Sequence, residues 1–208
     1  YDDDDIPGNN YIKCNYNSET IYANYSMNLN NYGWSRVELS KSTQFFNPDF
    51  TEFDLELVEL SLTHHYKYKT YNISAKFLNI FAENTSYNNG LNSTAFNRSY
   101  NNSGMKLTLK KNLDKIFNRV IFGYECDYRS YVSESESDPL HSGRSHTENS
   151  FFIFILKELL YDVDMELRYN FRYRKTNSDF EWVESLKSFT DNQIVIKFTY
   201  DMELDLFY

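Results

Sequence analysis

The chain has 208 residues, enough for one domain with a core of its own. Its formal net charge is -9, with no basic stripe or nucleic-acid motif, which argues against DNA or RNA as partner. The longest apolar run is Phe151 to Leu156, far short of the eighteen or so residues a spanning helix needs, so a membrane reading requires a closed barrel. Aromatic residues make up 18% of the chain, with 19 Tyr and 17 Phe, and this favours strands.

The first residues carry an acidic run, Asp2 to Asp5, without the spaced ligands and glycine of a calcium loop. Residues 1–18 read as a loop or short strand. Ile21, Ala23, Tyr25, Met27 and Leu29 recur with period two and predict the first clear strand. A second is predicted from Trp34 to Phe46. Phe53, Leu55 and Leu57 alternate with Asp54 and Glu56, and the phase slips at Val58, as a bulge would cause. Tyr71, Ile73, Ala75 and Phe77 mark the next strand, and Met105, Leu107 and Leu109 another.

Val120, Phe122, Tyr124, Cys126 and Tyr128 then alternate with Arg119, Ile121, Glu125, Asp127 and Arg129. Phe151 to Leu156 reads as a continuous apolar strand. Met165, Leu167, Tyr169, Phe171 and Tyr173 alternate with Asp164, Glu166, Arg168, Arg172 and Arg174. The last strand runs to Tyr208, with Ile196, Phe198, Tyr200, Met202 and Leu204 on one face. Lys197, Asp201, Glu203 and Asp205 lie on the other. An aromatic final residue is common on the closing strand of an outer-membrane barrel. Short helical turns at Lys110–Phe117 and Phe151–Leu160 are the rival reading, without good caps or a sustained helical period.

About nine strands result, and their links alternate. Those near 30–33, 65–70, 111–115 and 158–162 are short. Those at 83–103, 133–149 and 175–192 are long and polar. Short turns at one end and long loops at the other are the pattern of an all-β, antiparallel up-and-down transmembrane β-barrel. The expected fold is such a barrel, a single domain over 1–208, with about nine to ten strands visible. An even strand count requires a strand near Tyr11–Tyr16 or one or more upstream of Tyr1. The alternative is a secreted β-sandwich or jelly-roll binding module, with its charged face in water.

In the barrel reading, Asp54, Glu56, Glu125, Asp127, Arg129, Asp164, Glu166, Arg168, Arg172, Arg174, Lys197, Asp201, Glu203 and Asp205 face the lumen. Met165, Leu167, Tyr169, Phe171, Tyr173, Ile196, Phe198, Tyr200, Met202 and Leu204 face lipid. The partners expected are a lipid bilayer and other envelope proteins or a translocated client. The expected location is a bacterial outer membrane, with no cofactor. Cys14 and Cys126 read as unpaired, since two cysteines lack disulfide-scaffold or metal spacing.

His141 and His146 lie in a loop with Ser142 and Ser145. They open a third reading, a barrel hydrolase with a serine nucleophile and a histidine base, for which the sequence places no acid partner or oxyanion donor. A polar exposed loop is the simpler account. The sequons at Asn24, Asn72, Asn84, Asn92, Asn97 and Asn101 are explained by the high Asn, Ser and Thr content.

The opening Tyr1-Asp2-Asp3-Asp4-Asp5-Ile6-Pro7 resembles that of the barrels that follow periplasmic tetratricopeptide repeats, of which surface lipoprotein assembly modifiers are the best-known members. The stretch Tyr128 to Tyr200 is similar too. It has a long loop with Gly143-Arg144 and a Tyr-rich strand ending Tyr173-Arg174-Lys175-Thr176-Asn177-Ser178. Asp4 stands where that opening usually has Asn, and glycines number only 6. The resemblance implies an envelope role in moving or displaying proteins, and transfers no functional residue.

Overall fold

Alternation of apolar and polar residues, with one continuous apolar run at Phe151–Leu156, builds nine strands among the described residues, in the order the sequence predicts. A computed structural model describes residues 15–46, 53–86, 96–113, 117–159 and 163–200. The strands are β1 (Tyr16–Asn28), β2 (Trp34–Phe46), β3 (Leu55–Tyr68), β4 (Tyr71–Asn84), β5 (Tyr100–Asn112), β6 (Arg119–Tyr131), β7 (Ser145–Glu158), β8 (Val163–Asn177) and β9 (Phe189–Tyr200). They form one sheet in sequence order, each strand antiparallel to the next. No second sheet lies over it among the described residues. Of the two segments that rivalled as helices, Phe151–Glu158 is strand in β7, and Lys110–Asn112 ends β5.

Cross-strand partners point to the same side of a sheet, so the register sorts every side chain. Leu167 pairs with Ile155 and with Ile196. Ile155 pairs with Val120, Leu107 with Tyr124 and Ala75, and Leu62 with Phe77 and Val37. Nine apolar rows thereby fall on one face. Its Asp, Glu, Lys and Arg residues lie toward the strand ends. Glu19, Lys41, Glu56, Glu83 and Lys175 are toward the long links, and Lys111 and Lys157 toward the short turns.

Burial distinguishes the two faces. The buried strand residues are Ser61, Ala82, Asn84, Asn102, Gly123, His146 and Thr176, and the register puts all of them on the polar face. A single sheet covers one of its faces only by curling and by its own links, so the polar face is the concave one.

The register also staggers the strand ends. The β8–β9 pairing reaches down to Val163. The β3–β4 turn at Tyr68 and Tyr71 is level with Leu167, through Lys111, Val120 and Ile155. The β1–β2 turn at Trp34 is level with Asn170, through His65, Ser74, Thr108, Gly123 and Phe152. The short turns therefore climb along the ladder from β8 to β2.

Three expectations are corrected. No bulge occurs at Val58: β3 pairs without a break from Leu55 to Tyr68, so Glu56 shares the apolar face with Val58 and Leu60. There it pairs with Lys41 at 2.7 Å. Asp54 precedes β3 and accepts a hydrogen bond from the Phe46 amide at 2.6 Å, so it bonds back to the end of β2. The 175–192 region is not all loop, because β8 runs to Asn177 and a short helix, α1 (Glu181–Lys187), follows. The Ser178 amide donates to Glu184 Oε1 at 2.9 Å, and Val183, with 0% exposure, anchors the helix. Glu181 and Glu184 in its first turn and Lys187 in its last suit the helix dipole.

Candidate functional site

The apolar face is the largest feature of the molecule, and it is exposed. Among the described residues the only buried hydrophobic side chains are Ala82 and Val183. Ile21 is 80% exposed, Phe77 50% and Ile196 60%. Exposing a Leu, Ile or Phe side chain to water costs roughly 1.5–3 kcal/mol, so this face would cost on the order of tens of kcal/mol in water.

Met165, Leu167, Tyr169, Phe171 and Tyr173 share this face with Ile196, Phe198 and Tyr200. Glu125, Asp127, Arg129, Asp164, Glu166, Arg168, Arg172, Arg174 and Lys197 share the opposite one. Asp201, Met202, Glu203, Leu204 and Asp205 lie outside the described residues, as do Cys14 and the Tyr11–Cys14 segment. Cys126 is free.

Charges on the polar face meet mostly across strands. Lys106 on β5 and Glu125 on β6 are register partners, joined at 3.0 Å. Arg168 instead pairs with Glu166 on its own strand. Glu148 on β7 takes two arginines from β8. Its Oε1 accepts from Arg172 Nη2 at 2.7 Å, and its Oε2 from Arg174 Nη2 at 2.5 Å.

At the long-link end the polar face carries an aromatic and cationic cluster. Tyr100 and Tyr131 are cross-strand partners with rings 6.0 Å apart. The Arg129 guanidinium lies 4.0 Å over the Tyr100 ring, and that of Arg144 lies 3.8 Å over Tyr131. The rings of His141 and His146 approach Tyr131 at 5.2 and 6.3 Å. An open cleft of about 510 Å³ adjoins the cluster, lined in part by Tyr131, Ser133, Ser142 and Asp179. Gly143 has a φ of +60°, and a Cβ there would meet the Asp179 carboxylate. Glycine thus lets the β8–β9 link close over the β6–β7 link.

The 132–144 link holds the acid that the sequence did not reveal. Asp138 is 1% exposed, and His141 Nδ1 donates to its carboxylate at 2.8 Å. Burial lowers the pKa of His141, helped by Arg144 and Arg98, and the Asp138 hydrogen bond and charge oppose this less strongly. Burial thus favours the neutral imidazole, and the Asp138 carboxylate, which can only accept, calls for a proton on Nδ1. Ser133 gives its hydroxyl to Asp138 Oδ2 at 3.3 Å, not to a histidine nitrogen, so a Ser–His–Asp order is not formed by these three. The spacing of Asp138 and His141, three residues apart across Pro139, is the one sequence signal that could have found this pair.

No group of three or more His, Cys, Asp or Glu side chains suited to a metal occurs among the described residues. No family model matches the chain, nor does any curated protein or solved structure.

Proposed function

We propose that this chain forms the wall of an outer-membrane β-barrel, with its apolar face against lipid and its polar face toward a wet lumen. The exposed apolar face, in a sheet whose described residues bury only Ala82 and Val183 among hydrophobic side chains, carries this reading. In lipid, that exposure costs nothing, and the charged residues toward its ends reach the interfaces. From Val163 to Tyr173 the apolar row spans about 11 residues, or about 36 Å at about 3.3 Å each. At a tilt near 45° that is about 25 Å of height, the band of a transmembrane barrel.

The stagger supports the same reading. If the short turns lie in one plane, the climb from Val163 to Asn170 is about 23 Å over about 29 Å of sheet width. That is a strand tilt of about 39°, within the range of barrels. β1 and β9 run in the same direction, so an antiparallel meander closes only through an odd number of further strands between them. Closure would satisfy edge groups that lipid cannot.

Such a wall serves as a pore, a translocation component or an anchor of an envelope assembly. The resemblance to barrels that follow periplasmic repeats favours moving or displaying proteins. The test is to compare Phe198→Arg with Lys197→Glu in the full-length protein. An arginine on the lipid face costs about 2–4 kcal/mol near the midplane and less toward an interface, and Phe198, level with Met165, lies between the two. Phe198→Arg is expected to lose most of the membrane-integrated protein and Lys197→Glu to keep it. Equal tolerance contradicts the reading.

A further inference from the structure

Two arginines of the long-link cluster have no ion-pair partner among the described residues. Arg144 is only 7% exposed, its guanidinium stacks on Tyr131, and its Nε has no hydrogen bond from the protein. Arg129, over the neighbouring Tyr100, reaches only Asn102 Oδ1, at 3.4 Å. Among the described residues neither arginine has a carboxylate within ion-pair distance.

Two nearby acids are committed elsewhere, while Glu134 and Asp179 line the adjoining cleft without an ion pair to either arginine. Glu148 spends both oxygens on Arg172 and Arg174, and Asp138 spends both on His141 and Ser133. Asp127, also on the polar face, lies 3.5 Å from the Asn102 amide. A buried guanidinium without a counter-charge is costly, by several kcal/mol in real proteins.

We propose that Arg129 and Arg144 form a binding site for a phosphate-class oxyanion at the long-link end of the concave face. The planar guanidinium matches the oxygen spacing of such an anion. Stacking on Tyr100 and Tyr131 holds each fork in place before the anion arrives. The adjoining cleft meets the cluster at Tyr131 and the Ser142–Gly143 turn, and its lining also carries Glu134 and Asp179. The site stands on its own geometry and does not rest on the membrane reading.

The test is titration of the detergent-solubilised full-length protein with inorganic phosphate, read by calorimetry and by phosphorus NMR. Saturable binding is expected, weakened at least tenfold by Arg144→Gln and by Arg129→Gln. Arg168→Gln, which alters a paired arginine on the same face, should change it less than twofold. If Arg144→Gln does not fold by circular dichroism, Arg129→Gln decides the matter. Competition by vesicles containing phosphatidylglycerol identifies a lipid headgroup as the natural source, and its absence identifies a free phosphate. Unsaturable binding, or equal weakening by Arg168→Gln, overturns the proposal.

Discussion

Gly123 on β6 and Phe152 on β7 are cross-strand partners, and the Phe152 ring occupies the space a side chain at Gly123 would need. A Cβ there would come within 2.0 Å of the ring. An aromatic lying over a glycine on the concave face lets two strands curl toward each other.

Gly123→Val is therefore expected to push Phe152 aside and to destabilise the sheet by about 1–3 kcal/mol, the usual cost of overpacking. Chemical unfolding in detergent measures it. Adding Phe152→Ala to the variant should recover part of the loss. If Gly123→Val is as stable as the native chain, the ring is not fixed there.

Glu148→Gln removes the carboxylate that holds Arg172 and Arg174. These arginines are partly exposed, so solvent screens the loss, and about 1–2 kcal/mol is expected from charge-assisted hydrogen bonds. The same unfolding assay checks it. Raising the salt concentration should narrow the gap between variant and native chain.

His141 gives the 132–144 link a pH dependence. Its folded-state pKa lies below the ordinary value, so the unfolded link takes up a proton first as pH falls. Its contribution to stability is fully present above about pH 6.5 and is lost progressively below it. Hydrogen exchange at the Ser142 and Arg144 amides, which donate to Asp138 O and His141 O, reads this directly. After correction for intrinsic rates, protection should be lower at pH 5 than at pH 7.5, and His141→Asn should flatten the difference. Greater protection at pH 5 would mean that attraction between Asp138 and a charged imidazole outweighs burial.

The strands were legible because period two is a local signal carried by most of the segments, while β7 showed as the continuous apolar run Phe151 to Leu156. Faces followed wherever the alternation was clean, as at Met165–Tyr173. At Glu56 the pattern misled: leucines at positions 55 and 57 suggested one apolar face, but the unbroken register with β4 assigns that face to Val58 and Leu60. Pairing across strands outweighed the local pattern. Asp138, the Gly123–Phe152 contact and the Arg129–Arg144 cluster were not legible, because each depends on chain segments brought together by the links or the ladder. Helix α1 was missed because it is held by Val183 and Glu184, without a side-chain cap at Phe180.

The exposed apolar face is the central claim, and adjacent residues on β4 test it at one depth. Single tryptophans are placed at Phe77→Trp or Lys76→Trp, with Trp34 and Trp182 replaced by Phe, in the full-length protein reconstituted into vesicles of brominated lipid. Strong quenching at position 77 and little at position 76 is the predicted result. Equal quenching at both, or quenching at 76 alone, would contradict a lipid-facing apolar wall.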